Sequence, residues 1–123
     1  MKHKIMLVED DLTMLELLTT LLSLEGYDVV WVDHEEGFFD TLNQSNPDLI
    51  LMDVHLQFGS CGEINGFDLL KKYRMEPCLQ KTKVIMISGM DLREKSKKAG
   101  ADDFIVKPFM PDELIEKIKE LTE

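Results

Sequence analysis

The sequence predicts an α/β protein built on one open, doubly wound, five-stranded parallel sheet with five helices. Two observations carry that expectation. Five short runs, Ile5–Val8, Val29–Val32, Leu49–Met52, Val84–Ile87 and Phe104–Val106, are almost wholly apolar. That is the pattern of strands covered on both faces. Between them lie segments with apolar residues at helical spacing. Strand and helix alternating along a chain produce a parallel sheet with crossover helices on both sides.

The elements follow in order. The first run gives way to Glu9-Asp10-Asp11. Asp11 is placed to N-cap a helix whose apolar stripe is Leu12, Leu15, Leu18 and Leu22, closed by Gly26. His34 to Gln44 is a shorter, weaker helical pattern. Gly66 to Arg74 carries Phe67, Leu70 and Tyr73 at helical spacing. Leu92 to Ala99 is short and basic and ends at Gly100. Pro111 to Leu121 opens with a proline suited to a first helical turn, followed by Leu114, Ile115, Ile118 and Leu121.

Composition narrows the function. The chain has 123 residues, 44% hydrophobic and 31% charged, which suits one globular domain over residues 1–123. It carries 24 acids against 14 bases, a net charge of −10. Binding to a nucleic-acid backbone by this domain is not expected, because phosphate contacts need clustered positive charge. No apolar run approaches the ~18 residues of a membrane span, and Ile5–Val8 is too short for a signal peptide core. A cytoplasmic protein is the expectation, with no membrane partner. Cys61 and Cys78 show no framework spacing and read as free thiols. The eight methionines are scattered, as core filling would leave them.

In a doubly wound sheet ligands bind at the carboxyl edge of the strands, near the point where strand order reverses. Glu9 and Asp10 follow the first strand, Asp53 ends the third, Ser88-Gly89 ends the fourth and Lys107-Pro108 ends the fifth. Crowded carboxylates raise each other's pKa, and a divalent cation removes the conflict. Hard oxygen ligands of this kind suit Mg²⁺. A cation beside a lysine and a hydroxyl is a place to receive a phosphoryl group, and an aspartate can act as the nucleophile that takes it. Each residue alone has a plainer reading. The acids suit a helix N-terminus, Asp53 a turn, Ser88 a strand-end cap and Lys107 the surface. Their convergence on one edge favours the chemical one.

Four segments then stand together: Lys4-Ile5-Met6-Leu7-Val8-Glu9-Asp10-Asp11, Pro47 to Asp53, Val84 to Gly89, and Gly100 to Phe109. In order and on these strand ends, they resemble the receiver domain of two-component response regulators, chemotaxis-regulator-like, over essentially the whole chain. The resemblance implies a flavodoxin-like strand order 2-1-3-4-5. It implies that Asp53 is the phosphoacceptor, and that Glu9, Asp10, Asp53 and the backbone carbonyl of His55 hold Mg²⁺. It implies that Ser88 is the switch hydroxyl, Phe104 the switch aromatic, and Lys107 the lysine that pairs with Asp53 and then with the phosphoryl oxygens. The Lys107-Pro108 bond is then cis. The implied partners are a histidine kinase or histidine phosphotransfer protein upstream and a protein target or effector domain downstream. The domain is then a signalling module, with phosphorylation and autodephosphorylation chemistry on itself only.

Three departures from the family stand out. Gln57 occupies the position of the family's usual proline, and Phe58 to Gly66 is longer than the common pattern. Ser88 to Lys107 is shorter. The segment from Val54 to Asn65 is expected to be a mobile rim that restricts partners and water, or else an idle surface excursion. Rival functions fit less well. A haloacid-dehalogenase-type phosphatase resembles this chain in its aspartate nucleophile. Its second aspartate would stand where His55 is, and no cap domain is present. An FMN carrier needs a phosphate loop after the first strand, where Glu9-Asp10-Asp11 would repel the phosphate. His55 with Cys61 supplies too few ligands for a zinc site. The basic run Arg93 to Lys98 is a solvated helix face or a partner surface.

Overall fold

A computed structural model describes residues 3–32, 35–57, 63–75 and 81–123. The chain runs β1 (Lys4–Val8), α1 (Leu12–Leu24), β2 (Asp28–Val32), α2 (Glu35–Ser45), β3 (Leu49–Asp53), β4 (His55–Gln57), β5 (Glu63–Asn65), α3 (Gly66–Arg74), β6 (Lys83–Ser88), α4 (Arg93–Ala99), β7 (Asp103–Val106) and α5 (Pro111–Thr122). The main sheet has the order β2-β1-β3-β6-β7, all neighbours parallel. Counting only its own strands, that is the expected order 2-1-3-4-5.

The apolar runs are explained by two core layers. Met6, Val8, Ile50, Met52, Val84 and Met86 pack on one face with Phe38 and Leu42 of α2 and Leu69 and Leu70 of α3. Ile5, Leu7, Leu49, Leu51, Ile85 and Ile87 pack on the other with Leu15, Leu18 and Leu22 of α1 and Leu114, Ile115 and Ile118 of α5. Successive strand residues point to opposite faces, so a strand buried on both sides shows no polar alternation. Each fully buried Leu or Ile side chain contributes ~1.5–3 kcal/mol.

Local signals set the helix ends. Asp11 caps α1, its carboxylate accepting from Thr13 N at 3.0 Å and Met14 N at 3.5 Å. Gly26 and Gly100 follow α1 and α4 with φ of 90° and 104°, the left-handed conformation that a Cβ disfavours. Leu12 departs from the expected stripe: at the first turn of α1 it is 71% exposed. The side chain of Tyr73 and both Cys61 and Cys78 lie outside the described residues.

The segment expected as a mobile rim or an idle surface excursion carries structure on both sides of residues 58–62. β4 and β5 pair antiparallel, with His55 opposite Asn65, Leu56 opposite Ile64 and Gln57 opposite Glu63. Leu56 is fully buried in the α2–α3 core layer. The ladder gives a long excursion's backbone groups partners that a bare loop would have to seek in water. Residues 58–62, between the two strands, lie outside the described residues. Among the described residues no helix is long and apolar enough to cross a membrane.

Candidate functional site

The parallel register brings the ends of β1, β3, β6 and β7 to one edge. Val8 is level with Met52 and Asp53 with Ile87, so Glu9, one residue beyond β1, stands beside Asp53. Glu9 and Asp53 are 3% and 6% exposed, and Ser88 is 1% exposed. Burying two carboxylates side by side is costly unless they are paired. The pairing comes from Lys107, just past β7. Its ammonium donates to Asp53 Oδ2 at 2.5 Å and lies 3.9 Å from Glu9 Oε2. The second Asp53 oxygen, Oδ1, accepts the backbone N–H of His55 at 2.9 Å. Glu9 Oε1 accepts the N–H of Asp11 at 3.1 Å.

One ammonium does not neutralise two carboxylates. Burial first, then the neighbouring Asp53 charge, push the Glu9 carboxyl up to about 8, against the pull of the Asp11 N–H and of Lys107. Burial disfavours the Lys107 ammonium, but the hydrogen bond and charge of Asp53, with Glu9 and Asp11, outweigh it and its pKa is raised. The edge therefore holds more negative charge than it can comfortably ionise, which is the electrostatic condition for attracting a cation. Among the described residues no three His, Cys, Asp or Glu side chains are gathered into a closed metal cage.

The other expected residues are placed as follows. Asp10 sits half-buried beside Glu9. Ser88 ends β6, its Oγ accepting the N–H of Met90 at 3.1 Å and its carbonyl accepting the N–H of Lys107 at 2.8 Å. Phe104 in β7 is buried in the α2–α3 core layer, away from the carboxylates. The Lys107-Pro108 peptide bond is cis. Glu9, Asp53, Lys107 and the His55 amide thus meet directly, Ser88 joins through the backbone, and Phe104 lies inside the sheet's packing.

One positioning residue escaped the sequence reading. A Cβ on Gly66 would stand 2.4 Å from the backbone oxygen of Asp53 and 3.1 Å from Cα of Val54. Gly66 N also donates to Val54 O at 2.7 Å, and Asn65 Oδ1 caps Phe67 N at 2.8 Å. Only glycine lets α3 start that close to the Asp53 backbone. The Asn-Gly dipeptide before a helical pattern was the available signal.

Residues 5–119 match the model of the response regulator receiver domain. The chain belongs to that family. Receiver domains are signalling modules of two-component systems, and the sheet order and the acidic edge described above are what the family model covers. The phosphate regulon transcriptional regulatory protein PhoB of Escherichia coli is 32% identical over 122 residues, 97% of this receiver but 51% of that protein. The receiver thus spans about half the length of the curated relatives it matches. A response regulator structure from Chloroflexus aurantiacus superposes with a TM-score of 0.89 at 29% identity, covering 99% of this chain and 98% of that one. The receiver domain of a sensor histidine kinase from Pseudomonas aeruginosa shares the fold, with a TM-score of 0.85 at 23% identity, covering 99% of this chain and 98% of that one. That protein was solved with a magnesium ion coordinated in its active site cleft.

Proposed function

We propose that residues 1–123 form one receiver domain that accepts a phosphoryl group on Asp53 from the phosphohistidine of a histidine kinase or histidine phosphotransfer protein. The observation that carries this reading is the contact of Lys107 Nζ with Asp53 Oδ2 at 2.5 Å, with the buried Glu9 alongside. An Asp53 oxygen attacks phosphorus, the P–N bond to the donor imidazole breaks, and the imidazole nitrogen takes the electron pair and then a proton. The His55 N–H holds the other Asp53 oxygen and so orients the attacking one. Lys107 moves from the carboxylate to a phosphoryl oxygen, offsetting the charge that arrives.

The donor set fits a hard divalent cation, since Glu9, Asp10 and Asp53 offer carboxylate oxygens in excess of the positive charge present. Glu9, Asp10, Asp53 and the carbonyl of His55 would hold Mg²⁺, which when bound neutralises phosphoryl oxygens. Ser88 gives up the Met90 N–H that its Oγ accepts and turns its hydroxyl to donate to a phosphoryl oxygen. Phe104 and the surface of α4, β7 and α5 report the change to a downstream protein target or effector domain. Hydrolysis of the acyl phosphate resets the module, which acts on no external substrate. His55 rather than a second acid two residues after Asp53 argues against a phosphatase. The domain works in the cytoplasm, without direct nucleic-acid contacts of its own.

Incubation with acetyl phosphate and Mg²⁺, followed by intact mass measurement, tests the reading. A gain of ~80 Da, the mass of one phosphoryl group, is expected in the parent protein and not in Asp53→Ala. Absence of the adduct, or its survival in Asp53→Ala, refutes the assignment.

A further inference from the structure

On the α3–α4 side of the molecule a cleft of about 540 Å³ opens beside the β4–β5 ribbon. Its floor is apolar, with Val54, Phe67 and Leu92, and Met90 stands at its edge 61% exposed. Its rim carries three ammonium groups, Lys71 from α3 and Lys95 and Lys98 from α4, against a single carboxylate, Asp68 of α3, so positive charge is in excess there. Lys95 and Lys98 are three apart on one helix and so share a face. Lys71 reaches the same opening from the neighbouring helix. All three are exposed, and among the described residues none of them forms an ion pair. Like charges gathered without partners repel one another, and they do so here on a protein of net charge −10. The far side of α4 is different: Arg93 and Lys97 line a smaller cleft together with Asp102 and Asp103, so that positive charge is offset locally.

We infer that the α3–α4 cleft is a docking site for an acidic segment of a protein partner, one that seats an apolar side chain on the Phe67–Leu92 floor and sets carboxylates against Lys71, Lys95 and Lys98. Charge complementarity selects this occupant. The floor needs an apolar anchor, the rim needs anions, and the acidic remainder of the surface repels the same segment elsewhere. The exposed thioether of Met90 adapts to an anchor of irregular shape. The ribbon contributes Asn65 to the wall, so the insertion after Asp53 helps build this cleft. Binding is measured on the metal-free, unphosphorylated protein and does not depend on the role proposed for Asp53.

The test uses a short fluorescein-labelled peptide built of glutamates around one Leu-Phe pair, followed by fluorescence anisotropy and by amide chemical shifts of the isotope-labelled protein. Binding that weakens with salt and shifts the amides of Val54, Phe67 and Leu92 is expected. Lys71→Glu with Lys95→Glu and Lys98→Glu weakens it about tenfold or more, while Arg93→Glu with Lys97→Glu changes it by less than about twofold. Unshifted amides elsewhere in the spectrum establish that the triple variant is folded. Lack of peptide binding, undiminished binding by the triple variant, or shifts confined to another surface overturns the proposal. So does a titration in which inorganic pyrophosphate moves these amides and the peptide does not, since the cleft then serves a phosphorylated small molecule.

Discussion

Arg74 and Lys107 each reach from one element to an aspartate on another, and the two surroundings differ. Arg74 donates from Nε to Gly100 O at 3.0 Å, from one terminal nitrogen to Thr82 O at 2.8 Å and from the other to Asp102 Oδ2 at 2.9 Å. Asp102 Oδ2 also accepts the N–H of Val84 at 2.8 Å. In these contacts the guanidinium meets the Asp102 carboxylate and two backbone carbonyls. This ties the end of α3 to the turn after α4 and to the start of β6. Lys107, in contrast, faces two buried carboxylates, and Glu9 responds by holding its proton up to about 8. The first arrangement is complete and serves only to fix elements. The second is short of positive charge, which is the condition that the proposed cation and phosphoryl binding would use.

Three measurements break or sharpen this contrast. The largest effect concerns the incomplete site. Burial beside Asp53 pushes the Glu9 carboxyl from its ordinary value of 4.5 up to about 8 in the folded protein. The folded state then keeps a proton that the unfolded chain has released, so stability is full below the lower value and falls as pH rises through the upper one. The metal-free protein should lose on the order of 3 kcal/mol across that window. Urea unfolding at its two ends measures the loss, and Glu9→Gln or added Mg²⁺ should flatten the slope. An equally steep slope in Glu9→Gln would place the excess charge elsewhere.

The complete site gives the middle effect. Arg74→Met removes every donor at once and strands the carbonyls of Thr82 and Gly100. It should cost about 2 kcal/mol in stability while leaving Mg²⁺ affinity unchanged within error. A matching fall in Mg²⁺ affinity would mean that the staple also positions the acidic edge.

The smallest effect belongs to Lys117 and Asp103, paired at 3.2 Å with side chains 26% and 29% exposed. Water already solvates both groups, so Lys117→Ala should change stability by about 0.5 kcal/mol or less. A loss as large as that of Arg74→Met would show that geometry alone, without the carbonyl partners, sets the strength of such pairs.

By itself the sequence determined the elements and the chemistry available to them. Runs apolar at nearly every position suit strands covered on both faces, and they landed within a residue or two of β1, β2, β3, β6 and β7, although in the edge strand β2 Trp31 is 51% exposed. Asp11 and Gly100 mark helix ends because capping and a left-handed φ are local events. The acids after β1 and β3, and Lys107 after β7, could be assigned to one edge because right-handed crossovers leave little choice of where strand ends lie. The tertiary structure decided what depends on distance between segments far apart in the chain. The β4–β5 ribbon has strands of three residues each, too short for periodicity to register. Arg74 reads as an ordinary basic residue in a last helical turn until Thr82, Gly100 and Asp102 arrive beside it from just before β6 and from the turn after α4. The proton on Glu9 has the same origin. No spacing encodes it, because it arises only when folding removes water from two carboxylates and leaves them a single ammonium to share.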